Sequence, residues 1–215
     1  MTTVWRSIII PTLVENPLTL NSLPEEGELK RQGVELIIVH DRWGMRNASR
    51  SRNIGAAVAK GIVLCFIDDD VRLSWQALHT LLIKFRELNG RVIWKDPPHV
   101  LVINAAVFFA SGGYDERFKP TMGETVEFKL RLKKMGLSID ELDCSALELQ
   151  HLNIKPNPRY LLNQKHLTWA YLEHREFPVW RLFLRKNPIE TTRRLKWILE
   201  WLLYRRWISR SIFTR

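Results

Sequence analysis

The chain has little cysteine, glycine or proline and no long apolar run, and each shortage excludes a class of protein. Two cysteines among 215 residues are too few for a disulfide scaffold, which indicates a reducing compartment and a cytoplasmic location. Ten glycines and ten prolines, beside 46% hydrophobic residues, are typical of neither collagenous nor disordered chains. The longest largely apolar run, Val100–Ala110, contains Asn104 and falls well below the roughly 20 residues that cross a bilayer. We therefore expect one globular domain with a modest extension and no membrane-spanning segment.

The net charge of +10 is confined to the last third of the chain. Residues 1–150 carry 19 basic and 19 acidic residues, whereas residues 151–215 carry 14 basic residues, 4 acidic residues and five of the nine tryptophans. A basic segment rich in aromatic residues suits an anionic partner such as nucleic acid or a membrane surface. The sequence therefore predicts two parts, a neutral domain over residues 1–152 and a basic, Trp-rich helical extension over residues 153–215.

Short β-branched runs alternate with amphipathic stretches through the first part, which is typical of a layered α/β domain. Strands are predicted over Ser7–Ile10, Val34–Val39 and Ile62–Ile67, and a helix over Ala48–Lys60. Further strands are predicted over Val92–Trp94, Val100–Phe109, Leu137–Leu142 and Ala146–Leu149, and further helices over residues 74–88 and 123–135.

Three consecutive carboxylates, Asp68, Asp69 and Asp70, follow the predicted strand over Ile62–Ile67. Such a cluster is disfavoured beside a buried strand unless positive charge offsets it. Residues two apart in an extended chain point the same way, so we expect Asp68 and Asp70 to converge on one ligand while Asp69 turns aside. Hard carboxylate oxygens suit Mg²⁺ or Mn²⁺ bound together with phosphates. A solvated acidic turn before the next helix is the alternative.

The triplet belongs to a series of motifs that resembles the nucleotide-binding half of family 2 glycosyltransferases with the GT-A fold. That family has, in order, a strand ending in Pro-Thr, a strand ending in Asp, an Ala-Arg-Asn-x-Gly helix and a strand ending in Asp-x-Asp. The matching segments here are Pro11-Thr12, Glu35–Asp41, Ser51–Gly55 and Asp68–Asp70. The segments Gly112–Phe118 and Gly123–Gly136 resemble the family's Gly-Gly-Phe-Asp-Glu segment and its acidic helix.

This resemblance covers about residues 7–142 and implies a Rossmann-like mixed sheet flanked by helices. It also implies a metal-dependent enzyme that moves a sugar from a nucleoside diphosphate sugar to an acceptor hydroxyl or phosphate, with inversion. In that reading Asp70 ligates the Mg²⁺ or Mn²⁺ that bridges the diphosphate, Asp68 contacts the metal shell or the ribose, and His151 is a further metal ligand. The residues expected to bind the nucleotide sugar are Pro11, Thr12, Asp41, Arg52, Asp68 and Asp69.

Two positions depart from the family pattern. His40 occupies the place of the family's usual base-binding Asp, so Asp41 becomes the candidate base contact. The family's Glu-Asp pair reads Glu124-Thr125, and a threonine hydroxyl cannot accept a proton near neutral pH. Glu124 is therefore the candidate catalytic base. Glu127 shares its helix face and is the second candidate, although a salt bridge to the residue four positions later is an alternative role.

The end of the chain, residues 191–215, mixes large apolar residues with cations and is too charged to cross a bilayer. A basic helix of this kind can lie in the headgroup region of an anionic membrane, which suits a lipid-linked acceptor. A helix that covers the domain or mediates self-association is the alternative. Two other functions stay open: nucleic-acid binding through the tail, which the neutral domain disfavours, and a GT-A protein with nucleotidyl transfer or no catalysis.

Overall fold

The computed structural model describes residues 4–41, 47–85, 92–95, 99–118, 123–152, 165, 168–169, 172 and 188–212, and the side chains of the last range only over 191–203. Its strands are β1 (Arg6–Thr12), β2 (Val34–His40), β3 (Val63–Ile67), β4 (Val71–Arg72), β5 (Val92–Lys95), β6 (Val100–Asn104), β7 (Ile139–Glu141) and β8 (Gln150–His151). Its α-helices are α1 (Glu26–Arg31), α2 (Ala48–Val58), α3 (Trp75–Phe85), α4 (Ala105–Ala110), α5 (Glu124–Lys134) and α6 (Pro188–Ile212), and a 3-10 helix covers Leu18–Ser22.

Six strands form one mixed sheet in the order β2-β1-β3-β6-β5-β7. Strand β1 is parallel to both β2 and β3, whereas β6 is antiparallel to β3 and to β5. Strands β4 and β8 pair antiparallel in a separate two-stranded sheet that places Val71 opposite His151. The sheet and its flanking helices confirm the predicted α/β class.

The central strands are buried on both faces, so they are apolar at successive positions rather than at every second one. Ile8 and Cys65 face one cluster of core residues, which includes Leu78 of α3. Ile9 and its neighbours on β3 face a second cluster, which includes Phe108 of α4 and Phe128 of α5. Helices therefore cover the sheet on both sides.

Helix α2 begins at Ala48, where the Asn47 side chain accepts a hydrogen bond from Arg50 N. Gly55 lies on its buried face, and a Cβ there would stand 2.4 Å from Ile9 Cγ2. Only glycine permits this close contact between helix and sheet. The contact holds the preceding turn of α2, which carries Arg52, near the end of strand β1.

One predicted strand is too long and another is wrong. The expected strand over Val100–Phe109 ends at Asn104, whose side chain accepts a hydrogen bond from Ala106 N and caps helix α4. The expected strand over Ala146–Leu149 is part of a turn. In this turn Asp143 Oδ1 accepts hydrogen bonds from the backbone N–H groups of Ser145 and Ala146. In both segments a side chain that accepts hydrogen bonds from backbone N–H groups replaces the strand by a helix or a turn. The alternation of apolar residues does not reveal such a side chain.

Helix α6 agrees with the helical character predicted for the end of the chain. None of the helices in the described ranges combines the length and the apolarity that a membrane span needs. The boundary predicted at residue 152 stays a prediction.

Candidate functional site

The parallel strands β1, β2 and β3 bring their carboxyl ends to one edge of the sheet, the edge at which open α/β sheets bind ligands. Thr12 is the last residue of β1, and its carbonyl accepts a hydrogen bond from Asp41 N just after β2 (3.0 Å). Asp68 follows β3, and its N–H donates to the carbonyl of His99 (3.1 Å). Residues predicted from separate motifs therefore meet at this edge.

The three carboxylates of the triplet have three different partners. Asp68 Oδ1 lies 2.7 Å from Arg52 Nη2. Asp69 Oδ2 accepts a hydrogen bond from Thr12 Oγ1 (2.6 Å), and Asp70 Oδ1 lies 3.3 Å from His151 Nε2. Strand β3 ends at Ile67 and the chain turns at Asp69 and Asp70, so the extended geometry expected through the triplet is wrong.

Arg52 is the most deeply buried charge of this edge, with 1% of its side chain exposed. Its Nη1 lies 3.3 Å from Glu124 Oε1 at the start of α5, and its guanidinium lies over the ring of Tyr114 at 5.1 Å. Burial opposes the positive charge, but Asp68, Tyr114 and Glu124 together outweigh burial and raise the pKa of Arg52. Arg52 therefore stays charged and joins helix α2, the triplet and helix α5.

Asn53, the neighbour of Arg52, holds the Gly-Gly-Tyr segment. Its Nδ2 donates to the Tyr114 carbonyl (2.9 Å), and its Oδ1 accepts from Tyr114 N (2.8 Å). Gly113 has a φ of 67°, and a Cβ there would stand 2.7 Å from Asn53 Oδ1. The Arg-Asn pair of α2 and the double glycine after α4, which resembled separate family motifs, thus form one interlocked unit.

His99 belongs to this unit, although sequence reasoning missed it. Its Nε2 lies 2.9 Å from the Tyr114 hydroxyl, and its side chain is buried. Burial, together with the nearby charge of Arg52, lowers the pKa of His99 well below its usual value, so the imidazole is neutral. The residue lies directly after Pro97-Pro98 without any motif, and only the pairing of β3 with β6 could have indicated its position.

The two glutamates of α5 are both buried but have different partners. Glu124 faces Arg52, as described above. Glu127 makes a bidentate salt bridge with Arg131, with Nε–Oε1 and Nη2–Oε2 distances of 2.9 and 2.6 Å. Arg131 Nη1 also donates to the carbonyls of Ser111 and Gly113, both at 2.6 Å. The predicted alternative for Glu127, an i,i+4 salt bridge, is present, and its catalytic role stays untested.

The remaining predicted residues lie around the same edge. Pro11 is buried in β1 opposite Val39. Asp41 Oδ2 accepts a hydrogen bond from Asn47 N (3.0 Å). Asp41 also lines a small hollow together with His40 and Ile54. Their contacts with a nucleotide stay predictions.

The candidate metal ligands form a pair rather than a complete cage. Pairing of β4 with β8 brings His151 beside Asp70. Burial raises the pKa of Asp70, although His151 acts in the opposite direction. Among the residues that the structure describes, no three His, Cys, Asp or Glu side chains are grouped to hold a metal ion. Proteins commonly bind a hard cation with two ligands of their own, and the phosphates of the substrate complete the coordination shell.

No family model and no curated protein matches the sequence. Solved structures do match. The catalytic domain of Drosophila β1,4-galactosyltransferase 7 in complex with xylobiose is 15% identical, with a TM-score of 0.53 over 74% of this chain and 79% of that one. A variant of that enzyme with manganese, UDP-Gal and xylobiose has a TM-score of 0.55 at 14% identity, over 75% and 80% of the two chains.

The structure of S. aureus TarS 1–349 is also 14% identical, with a TM-score of 0.58 over 92% of this chain and 80% of that one. The chain spans about half, 49%, of the longer TarS structure. The chain has the GT-A fold. The predicted Rossmann-like mixed sheet with flanking helices is thereby confirmed.

Proposed function

We propose that this protein is a metal-dependent glycosyltransferase, related to family 2, that transfers a sugar from a nucleoside diphosphate sugar. The observation that carries the proposal is the Arg52 unit: one buried arginine joins Asp68 to Glu124 at the edge where the parallel strands end. A buried charge network costs desolvation free energy, so its location at a ligand-binding edge favours a functional role over a purely stabilising one. The GT-A fold, and the manganese and UDP-Gal bound by the Drosophila enzyme, support the same class.

The residues of the edge divide into donor and metal contacts. Asp41 would contact the nucleobase, and Asp68 and Thr12 the ribose and diphosphate side of the donor. Asp70 and His151 would hold the cation. Two adjacent ligands, each about 2.1 Å from a cation, lie about 3 Å apart, and the 3.3 Å separation of Asp70 Oδ1 and His151 Nε2 fits this arrangement. The cation, when bound, neutralises the charge that develops on the leaving diphosphate.

Glu124 would accept the proton from the acceptor hydroxyl as that oxygen attacks the sugar carbon. Its side chain is 4% exposed and oriented by Arg52, so its oxygen is held in place before an acceptor binds. A base and a leaving diphosphate on opposite sides of the sugar give inversion, which we propose here by analogy with family 2. Proton NMR of the fresh product would report the anomeric configuration.

The test is a thermal-shift series with UDP-, GDP- and dTDP-sugars, each with and without Mn²⁺, followed by an assay of nucleotide release. A donor at one hundred times its dissociation constant stabilises a protein of this size by roughly 5–10 °C. We expect one donor to give such a shift with Mn²⁺, and Asp70→Asn to remove the Mn²⁺-dependent part. Asp140→Asn, on the edge strand β7, is the matched control and should leave the shift unchanged.

Two results would contradict the proposal. One is the absence of a shift with every donor and metal combination. The other is a Mn²⁺-dependent shift that survives Asp70→Asn unchanged, which would move the cation away from the triplet.

A further inference from the structure

Helix α6 presents two apolar faces, and over residues 191–203, where its side chains are described, only one of these faces is buried. Trp197 and Trp201 are each 8% exposed. The Trp197 carbonyl accepts a hydrogen bond from Trp169 Nε1 (2.9 Å), and Glu200 Oε2 lies 2.7 Å from Lys165 Nζ. The tryptophan face of α6 therefore contacts Lys165 and Trp169.

The opposite face carries four leucines that are exposed to solvent. Leu195, Leu199, Leu202 and Leu203 are between 50% and 67% exposed. At 3.6 residues per turn these positions fall within an arc of about 100°, so they form one stripe along the helix, hereafter the leucine face. Scattered exposed leucines are common on protein surfaces, but a contiguous apolar stripe marks an interaction site.

Charge indicates the kind of partner. The exposed Lys196 borders the leucine face, and residues 151–215 carry the whole excess of +10. We propose that the leucine face binds the surface of an anionic lipid bilayer, with its leucines in the acyl boundary and the basic side chains of the extension at the headgroups. Apolar insertion and attraction to anionic lipids act together in such helices.

Two other partners fit the same face less well. A second copy of the chain would bring two strongly basic extensions together, and like charges oppose that contact. Stacking of single-stranded bases uses exposed aromatic rings, whereas Trp197 and Trp201, the tryptophans of α6 whose side chains the structure describes, are buried. A membrane surface matches both the sign of the charge and the aliphatic character of the face.

For the enzyme, membrane binding would restrict the acceptor to molecules held at a bilayer surface, such as a lipid-linked phosphate or glycan. This consequence rests on the proposed glycosyltransferase function, but membrane binding itself does not. Vesicle binding needs neither donor nor Mn²⁺, so a failure of either proposal can be recognised separately.

The experiment is co-sedimentation of the full chain with phosphatidylcholine vesicles, with and without phosphatidylglycerol, over a salt series. We expect binding to the anionic vesicles that weakens with salt, and little binding to neutral vesicles. The double variant Leu199→Ser with Leu203→Ser should bind roughly tenfold more weakly or worse. Because both leucines are exposed, the variant should keep the melting temperature and any donor-induced shift of the unchanged protein.

The matched control replaces two exposed apolar residues elsewhere, Val58→Ser with Ile83→Ser, and should leave vesicle binding unchanged. Lys196→Gln should reduce binding to anionic vesicles only. The proposal is overturned if anionic vesicles do not bind at low salt, or if the leucine variant binds as well as the unchanged chain. It is also overturned if the leucines are needed only for a dimer seen by light scattering, or for binding of an RNA oligonucleotide.

Discussion

Helix α5 supplies a glutamate to each of two arginine centres, and the centres differ in what they join. Arg52 pairs with Glu124 across 72 positions of sequence and also holds Asp68, so it links three separate segments. Arg131 pairs with Glu127 within one helix and anchors the carbonyls of the double-glycine turn. Two carboxylates three residues apart thus have different structural tasks. The long-range pair builds the site, and the local pair supports the loop beside it.

The first prediction compares the two glutamates in transfer. Glu124→Gln keeps a hydrogen-bonding side chain toward Arg52 but cannot accept a proton, so sugar transfer should fall by about 10²–10⁴-fold. Glu127→Gln should lower transfer by no more than about tenfold, since its partner is a scaffold arginine. Transfer rates and donor dissociation constants should be measured for both variants. A loss of transfer in the Glu127 variant alone would reverse the assignment of the base.

The second prediction compares the two arginines in stability. Arg52→Gln leaves Asp68 and Glu124 without their buried cation and should lower the free energy of unfolding by about 3–5 kcal/mol. Arg131 is partly exposed, so Arg131→Gln should cost only about 1–3 kcal/mol. Urea unfolding of both variants measures the difference. In a double-mutant cycle, adding Glu124→Gln to Arg52→Gln should recover part of the loss, and full additivity would contradict a direct pairing.

The third prediction concerns Gly113, which lies between the centres: its carbonyl accepts from Arg131 and its α-carbon lies against Asn53. Gly113→Ala should cost about 2–3 kcal/mol, from the left-handed backbone and the contact with Asn53 Oδ1. Gly136→Ala is the control, because Gly136 has a φ of 79° with nothing within 4 Å of an added Cβ. Gly136→Ala should lower the free energy of unfolding only by the cost of a left-handed backbone at alanine, about 1–2 kcal/mol. If both variants lost the same free energy of unfolding, the contact with Asn53 would contribute nothing to the cost at Gly113.

The fourth prediction uses pH to report on the Arg52 centre. The pKa of His99 is lowered in the folded state, so below about pH 6.5 the unfolded chain binds a proton that the folded chain does not. Stability should therefore fall as the pH falls, by about 1.4 kcal/mol per pH unit from this residue. In the His99→Gln variant, the free energy of unfolding should therefore fall less steeply between pH 6.5 and pH 5. An unchanged slope would mean that other groups cause the pH dependence.

The sequence predicted correctly those features that depend on residues close together in the chain. The end of strand β3, the helix carrying Arg52 and the i,i+4 pairing of Glu127 with Arg131 follow from apolar runs and helical spacing. The sequence did not predict contacts between side chains that lie in distant segments of the chain. The pairing of Arg52 with Glu124 and the position of His99 depend on how strands and helices pack, which no local pattern encodes.

The triplet shows the same limit at a single site. Alternation in an extended strand predicted that Asp68 and Asp70 share a ligand, but the chain turns after Asp68 and each carboxylate has its own partner. The residue types were sufficient to indicate a polar edge of the sheet. The end of β3 at Ile67 was predicted, but the directions of the side chains depend on the turn at Asp69 and Asp70, which the apolar run before it does not encode.

The two-residue pairing of β4 with β8 has a consequence for biosynthesis. The pairing brings His151 beside Asp70, and His151 is synthesised long after the parallel strands whose carboxyl ends form the site edge. A nascent chain that ends before Gln150 already contains the parallel strands and both arginine centres, but it lacks the second member of the proposed cation pair. In the proposed enzyme, the donor contacts would therefore form before the cation pair during translation.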